Sequence, residues 1–296
     1  MNLGKHLLKI IVFCLCLYAP ETFAQKDKSL QSTSIGTTGS RDSSHSLFAG
    51  GGYGSNMIYL GSTISQDQPY GYGSVSYGYK NKLYATVSAV HLSGVDPFMA
   101  FYIGSLNYSQ VINNWFDISA GVYRYQVDQS LTDTLFSSFT YGDLTLGFDW
   151  KLLYSKISAG GLFAEENQAY FQLRNSRYFQ TPEFFKGKVN ISLDPYANLL
   201  FGTVTEVVTS NDTEYYYSVS SHSNKWKKKG QTTVPNTTYT DRFGLLEIDF
   251  GLSVALNTDF MTIEAEPSYV IPLYDDKFYP GTKGFIFQLS IFFRIF

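Results

Sequence analysis

The chain of 296 residues is mildly acidic, with a formal net charge of −3, and 17% of its residues are aromatic. This charge argues against nucleic acid as a partner, because nucleic-acid binding requires a basic patch or an overall basic balance. The 24 tyrosines and 24 phenylalanines exceed what a soluble core needs. Such a content is typical of transmembrane β-barrels, in which aromatic girdles flank a lipid-facing apolar band.

Residues 1–24 have the features of a secretory signal peptide. Two lysines precede an apolar run, residues 10–18, and Thr22-Phe23-Ala24 then supplies small residues before a cleavage site. The run is about half of the roughly 20 residues that a spanning helix needs, so a membrane anchor is the weaker alternative. We expect cleavage near Ala24. Both cysteines, Cys14 and Cys16, would leave with this leader, which excludes disulfides and thiolate chemistry from the mature chain.

Residues 25–46 are rich in serine, threonine and glycine and show no hydrophobic periodicity. We predict a flexible periplasmic lead-in. The alternative is a tail that plugs the barrel, but nothing in this stretch is apolar enough to dock.

From residue 47 to residue 296 the hydrophobic pattern has a period of two, and no apolar run reaches spanning-helix length. Because a spanning segment must satisfy its own backbone polar groups, this pattern predicts a single-domain, all-β, transmembrane antiparallel up-and-down β-barrel of about 12 strands, with about 10 to 14 possible. The predicted strands are residues 47–63, 69–80, 83–93, 98–110, 116–127, 137–150, 155–163, 168–178, 189–205, 241–257, 259–273 and 284–296.

The connections between the predicted strands alternate in length. If the chain enters from the periplasm, the even connections are periplasmic turns, which bacterial barrels keep short, and the odd ones are external loops. The longest connection, residues 206–240, falls on the external side. Two connections depart from the pattern, since residues 179–188 are long for a turn and residues 164–167 short for a loop. A miscount of strands would lie there.

Two prolines interrupt the predicted strands. Pro195 and Pro267 lack a backbone N–H, and a closed barrel offers no free edge on which its loss is harmless. We expect a bulge or a local break at each.

The last predicted strand, residues 284–296, alternates apolar and polar positions up to a terminal phenylalanine. This pattern predicts a closing strand that pairs with the first, and it makes Phe296 the candidate signal for the barrel-assembly machinery. Phe296 is out of phase with the apolar residues that face outward on this strand. This predicts either a bulge near Arg294 or recognition of Phe296 in another register by the assembly machinery. The outward set is Phe285, Phe287, Leu289, Ile291 and Phe293.

Alternation also predicts an acidic lumen. In residues 241–257 the acids alternate with an apolar set that we place on the lipid side: Leu246, Ile248, Phe250, Leu252, Val254 and Leu256. An ionised side chain facing lipid costs roughly 2 to 4 kcal/mol at the midplane, so the charged side chains must face inward. The candidate lumen-lining residues are Asp143, Asp149, Glu247, Asp249, Glu264, Glu266 and Arg174.

The acidic wall has two interpretations. Rings of Asp and Glu select cations, which predicts a cation-preferring pore or a site for a cationic substrate. Alternatively, Arg124, Arg174 and Arg294 cross the lumen and neutralise the acids in a polar network that fills the barrel.

The loop 206–240 carries a basic cluster beside a tryptophan: Lys225, Trp226, Lys227, Lys228 and Lys229. Basic interfacial clusters contact lipid-head phosphates or acidic glycans, but we favour the interpretation of this cluster as an exposed solvated tip. His222 and Ser223 are adjacent in this loop, whereas His45 falls in the lead-in and His91 in a strand. A serine hydrolase needs a base within hydrogen-bond reach of its nucleophile, which this pattern does not supply.

The opening of the predicted barrel resembles a group of outer-membrane β-barrel proteins from Bacteroidota. The resemblance lies in Tyr53-Gly54-Ser55-Asn56-Met57-Ile58-Tyr59-Leu60-Gly61, in Pro69-Tyr70 and in Tyr77-Gly78-Tyr79-Lys80-Asn81-Lys82-Leu83-Tyr84. It implies a barrel without an assigned biochemical role and brings no catalytic residues.

We therefore expect a protein of the cell outer membrane, in contact with outer-membrane lipid and the barrel-assembly machinery. The preferred function is a narrow small-solute channel or a surface-exposed structural barrel with an acidic polar lumen. The alternatives are an outer-membrane enzyme of lipase or protease type using the lumenal or rim carboxylates with His91 or His222, and a binding protein acting through residues 206–240. No cofactor is expected, because no cluster has metal-ligand spacing and no glycine-rich turn leads into a helix.

Overall fold

The computed structural model describes residues 44–132, 135–164, 167–185, 187–208, 213–217, 238–274 and 283–296. The predicted leader and nearly all of the predicted lead-in lie outside these residues. Within the described ranges, no helix has both the length and the apolar content required to cross a membrane.

Twelve long strands form a closed antiparallel ring. They are β1 (His45–Gly54), β4 (Tyr70–Tyr79), β5 (Leu83–Leu92), β6 (Phe101–Asn113), β7 (Phe116–Val127), β8 (Phe139–Asp149), β9 (Tyr154–Phe163), β10 (Gln168–Ser176), β12 (Val189–Val208), β14 (Thr238–Thr258), β15 (Met261–Pro272) and β16 (Gly284–Arg294). Four short strands accompany them: β2 (Ile58–Tyr59), β3 (Ser62–Thr63), β11 (Phe179–Gln180) and β13 (Thr213–Tyr217). Each long strand pairs with the next one along the chain, so the predicted up-and-down barrel is confirmed.

The ring is closed by pairing of β16 with β1. The register runs without a shift from Gly54↔Gln288 to Phe48↔Arg294. Beyond β16, the N–H of Ile295 donates to the Leu47 carbonyl at 2.8 Å, and the N–H of Leu47 donates to the Phe296 carbonyl at 3.2 Å. The seam therefore extends to the last residue, and the bulge expected near Arg294 is absent from this ladder.

The two ends of the barrel differ. We call the end that carries His45 and Phe296 the terminal end; the short turns, such as that between β4 and β5, lie there. The opposite, loop end carries the longer connections. At the terminal end the outward rings of Trp115, Phe116, Phe148 and Trp150 form a cluster with centroid separations of 5.3 to 6.4 Å. Such a belt is typical of the level at which a barrel meets lipid headgroups.

The outer wall is apolar and the inner wall is polar over the terminal half. On β16 the outward side chains of Phe285, Phe287 and Leu289 are exposed, whereas inward-facing Ser290 is buried. Exposed apolar side chains in a continuous band require lipid around them, because water would not tolerate a patch of this extent. The exterior is that of a membrane-spanning barrel.

Each of the two prolines lies beside a local break in one ladder. Opposite Pro267 the ladder between β14 and β15 is interrupted between Gly251↔Ser268 and Val254↔Ala265, which is the expected local break. The ladder between β12 and β14 is continuous through Pro195, but on the other side of β12 the pairing stops at Ser176↔Tyr196 and resumes at Phe179↔Leu193, which is again a local break. The Pro195 carbonyl accepts from Arg177, just past the end of β10, so the missing N–H faces a gap between strands.

Three predicted boundaries are also corrected. The first strand, predicted as residues 47–63, begins at His45 and ends at Gly54, and a separate small hairpin follows. The described residues of the long connection 179–188 add no further long strand to the ring; they hold the two-residue strand β11 and one end of an isolated bridge between Phe184 and Val189. The loop 206–240 is shorter than predicted, because β12 continues to Val208 and β14 starts at Thr238.

Leu246 is placed on the lipid side by the sequence pattern, but it is only 1% exposed and faces the interior. The register between β12 and β14 shifts at this point, from Leu200↔Glu247 to Phe201↔Leu245, which leaves Leu246 as the extra residue of a bulge. The bulge turns both Leu246 and Glu247 inward.

Candidate functional site

The segment between β1 and β4, residues 55–69, folds into a compact hairpin that we call the plug. Strands β2 and β3 pair within it, and its turn holds Leu60 and Gly61 at positive φ, 50° and 81°. The N–H of Ile64 donates to the Met57 carbonyl at 2.9 Å and closes the hairpin. Ile64 is 3% exposed, so the plug is packed inside the molecule.

The plug crosses the lumen from the β1–β4 wall to the far walls. The Tyr59 ring lies 4.9 Å from that of Tyr125 on β7 and 5.8 Å from that of Phe139 on β8. Gly61 faces the side chains of Leu200 on β12 and Leu246 on β14, which would lie 3.7 Å from a Cβ built there. One small hairpin therefore contacts strands on both sides of the barrel.

A second loop completes this apolar layer. The connection between β7 and β8 contributes Leu131, Leu135 and Phe136, and the Phe136 ring packs edge-on against Phe101 at 5.3 Å. Phe101 and Leu92 are 0% exposed. The loop half of the described interior is thus filled by packed apolar side chains, in place of the polar lumen that alternation predicts along the whole barrel.

Below the plug lies a polar cavity of about 810 Å³, which we call the inner cavity. Its walls are formed mainly by the inward side chains of the terminal half, many of them serine, asparagine and tyrosine. It reaches the exposed turn Lys80, Asn81 and Lys82, which marks its mouth at the terminal end. The described interior is a blind cup, open at one end and closed at the other.

The predicted acids occupy different levels of the interior. Asp143, Glu264 and Glu266 line the inner cavity. Glu247 and Asp249 are buried, at 7% and 9% exposure, and are not part of its lining. Asp149 lies at the terminal turn between β8 and β9, where it accepts a hydrogen bond from the Lys151 N–H at 2.7 Å.

Two further acids of the inner cavity, Asp117 and Asp194, were not among the predicted residues. Each follows the alternation that singled out the others. Asp117 is the second residue of β7, and Asp194 precedes Pro195, where a break in the strand was expected.

Most of these carboxylates are held by neutral donors. Hydroxyl groups donate from Tyr154 to Asp117 at 2.8 Å and from Tyr196 to Glu266 at 2.6 Å. The Asn198 amide donates to Asp249 at 2.6 Å, and the Ser253 hydroxyl donates to Glu264. A carboxylate held by a neutral donor keeps its charge available to a ligand, which an ion pair would offset.

The predicted neutralisation by arginines is only partly realised. Arg124 points outward, where it donates to Thr140 at 3.2 Å and to Gln126 at 3.3 Å, so this part of the prediction is wrong. Arg174 stacks on the Tyr196 ring at 3.7 Å, and its Nε and Nη2 lack hydrogen-bond partners among the described residues. A cation that the sequence reasoning missed, Lys156, lines the inner cavity.

Other predicted residues lie away from the inner cavity or outside the described ranges. His91 faces outward at the loop end, with its ring stacked on Phe98 at 4.4 Å. His45 begins β1 instead of belonging to the lead-in, and its Nδ1 hydrogen-bonds the Tyr77 hydroxyl. His222 and the basic cluster Lys225, Trp226, Lys227, Lys228 and Lys229 lie outside the described residues. Across the described ranges, no three His, Cys, Asp or Glu side chains are placed to hold a metal ion.

No protein-family model matches the chain, and no curated protein matches it significantly. Solved structures with a similar fold include the NanC porin, at 11% identity and a TM-score of 0.43, covering 83% of this chain and 98% of that one. LpxR from Salmonella typhimurium gives 8% identity and a TM-score of 0.43, covering 83% and 99%. A bacterial polysaccharide outer membrane secretin gives 8% and 0.42, covering 87% and 100%. Likenesses of this degree carry no inference about activity.

Proposed function

We propose that the protein is an outer-membrane β-barrel that is closed to passive diffusion and presents a blind acidic cavity to the periplasm. The observation that carries this proposal is the plug, because it fills the loop half of the lumen with apolar side chains of near-zero exposure. Of the two functions expected from the sequence, a channel and a structural barrel, this geometry favours the closed barrel.

The location rests on three features of the chain. The predicted leader would direct export, the outer wall is apolar, and a spanning barrel leaves no backbone edge in lipid. The short turns lie at the terminal end, which by the usual asymmetry of bacterial barrels faces the periplasm. The inner cavity then opens inward, away from the cell exterior.

The proposal is tested by conductance in planar bilayers. Refolded wild-type protein should give no steady current, whereas a variant whose residues 56–68 are replaced by a short glycine-serine turn should conduct. Phe98→Ser is the control, because Phe98 is 67% exposed at the same end and lies outside the plug. Circular dichroism confirms that each variant is a folded barrel.

Steady wild-type conductance equal to that of the plug-replaced variant would refute the closed barrel. If neither the wild type nor the plug-replaced variant conducts, the plug is not what closes the barrel.

A further inference from the structure

The inner cavity is acidic on opposite walls. Five carboxylates line it: Asp117, Asp143, Asp194, Glu264 and Glu266. Asp117 is on β7 and Glu264 is on β15, which are six steps apart around the ring of twelve strands and so face each other. Away from the lysines at the mouth, Lys156 is the single cation of the described lining.

Two of these acids, Asp143 and Asp194, each have one buried carboxylate oxygen without a hydrogen-bond partner among the described residues. Asp194 is 6% exposed and lines the inner cavity, yet its Oδ1 has no hydrogen-bond partner among the described residues. A buried acceptor without a donor costs about as much as a lost hydrogen bond, so native proteins rarely leave one. The vacant position on Asp194 is suited to a donor supplied by a ligand.

The size and the spread of the charges exclude a bare metal ion as the natural occupant. A volume of about 810 Å³ is that of a small-molecule site. The described acids do not gather into a group of three that would hold a metal. Carboxylates separated across a cup instead match a ligand whose positive charges are themselves separated.

The walls also offer aromatic faces. Tyr72, Tyr84 and Tyr123 line the inner cavity together with Phe48 and Phe292. Aromatic faces attract organic ammonium groups through the ring quadrupole, and their apolar bodies accept the methylene chain between such groups.

We propose that the inner cavity binds a small organic polycation, a linear polyamine with two or three separated ammonium groups that enters from the terminal end. This inference rests on the proposed function in taking the cavity to be a blind cup. One ammonium group donates to Asp194 and Glu266, on the β12–β15 side of the inner cavity. Another reaches Asp117 on β7 or Asp143 on β8, six and five steps around the ring from β15. Lys156 limits the positive charge that fits, which favours a slender chain over a compact multivalent ion.

The test is isothermal titration of refolded protein in detergent micelles with spermidine as the probe. Wild-type protein should bind it saturably. Asp194→Asn and Glu266→Gln keep side-chain size and should each weaken binding about tenfold, because each removes a charge-assisted contact. Asp259→Asn is the matched control, since Asp259 is an exposed acid in a turn at the same end and is not part of the lining; its affinity should equal that of the wild type.

Equal affinity of Asp194→Asn, Glu266→Gln and wild type would overturn the proposal. Displacement of spermidine by an equal concentration of Mg²⁺ would also overturn it, because it would indicate diffuse attraction in place of a built site. If Asp194→Asn fails to fold, Glu266→Gln alone is decisive.

This outcome is separable from the closed-barrel proposal. A silent barrel that does not bind spermidine refutes only the polycation site. A conducting barrel that binds spermidine, with weaker binding in the two variants, refutes only the closure.

Discussion

Asn56 organises the plug from a buried position. Its Oδ1 accepts hydrogen bonds from Thr63 Oγ1 at 2.8 Å and Ser65 Oγ at 2.7 Å, and its Nδ2 donates to Asp67 Oδ1 at 2.6 Å. Ser65 Oγ also accepts from the Met57 N–H at 2.8 Å. The hairpin is therefore held by its own side chains, and β2 and β3 contribute only two residues each.

Asn56→Ala should loosen the plug while the barrel stays folded. The substitution strips partners from three polar groups and should cost about 1 to 3 kcal/mol of local stability. Amide hydrogen exchange in residues 55–69 should accelerate about tenfold to a hundredfold, because exchange reports the local opening free energy. Ser88→Ala, which removes a hydroxyl from the inner cavity lining, is the control and should leave this exchange unchanged. Unchanged exchange in Asn56→Ala would contradict the role of Asn56.

For single residues, alternation identified the acids that face inward but not what surrounds them. The pattern around Asp143, Glu264 and Glu266 gives the facing of each residue because the strand period is two. It gives no information on depth along the barrel, so it could not separate cavity-lining Glu264 from Glu247, which is buried outside the lining. Arg124 lies seven positions from inward-facing Asp117 in an uninterrupted part of β7, so alternation itself places it outward, and the predicted lumen position overlooked this.

Among the elements, the β1–β16 seam extends to the last residues of the chain. Leu47 exchanges backbone hydrogen bonds with Ile295 and Phe296, beyond the end of β16. Phe296 is 55% exposed and packs little, so its contribution to the folded barrel is small.

Deleting Phe296 should therefore separate assembly from stability. We predict a severalfold loss of protein in the outer membrane of cells, because the terminal phenylalanine is the candidate signal for the barrel-assembly machinery. Refolding in detergent should be nearly normal by circular dichroism. Phe287→Leu, an apolar change on the same strand, is the control and should assemble normally. Normal assembly of the truncated chain would refute the assignment of Phe296 as the signal for the barrel-assembly machinery.

The plug is the element that sequence reasoning missed, for a physical reason. Residues 57–60, Met-Ile-Tyr-Leu, read as a continuation of an apolar strand, and apolar side chains that meet lipid look the same as those that meet a packed interior. The sequence did contain an indication of this filled interior at the loop end of β5. On β5 the inward positions change from polar Thr86 and Ser88 to apolar Val90 and Leu92, which indicates a filled interior at that level.

The bulge at Leu246 shows a second limit of predicting the facing of side chains from alternation. A single inserted residue reverses the facing of everything beyond it, and nothing in a uniformly apolar run marks the position. Its contact with Gly61 explains the placement, because a leucine on β14 fills the space that the glycine leaves open.

For the molecule as a whole, the barrel is divided into two compartments of different chemistry. The loop half is a packed apolar core contributed by the wall, the plug and the loop after β7, and the terminal half is a polar cup. The strand number, the closure and the outer apolar wall follow from period-two alternation. The division into two compartments does not follow from alternation. It depends on the plug, a loop that folds inward and contacts strands far from it in the sequence.

The most direct measurement is a disulfide trap for the plug, because the described geometry places Gly61 beside β14. A Cβ built on Gly61 would lie 3.7 Å from the Cβ of Leu246, within the range that disulfides require. The predicted mature chain contains no cysteine, so Gly61→Cys with Leu246→Cys introduces the only pair. The positive φ of Gly61 costs a cysteine about 1 kcal/mol, which the fold can tolerate.

We expect this pair to cross-link on mild oxidation of the refolded barrel and the cross-linked protein to give no current in bilayers. The control pairs Gly61→Cys with Gly73→Cys, since a Cβ at Gly73 faces open space on the outer wall, and it should not cross-link. Absence of the Gly61–Leu246 cross-link, or equal cross-linking in the control, would place the hairpin outside the lumen and contradict the closed barrel.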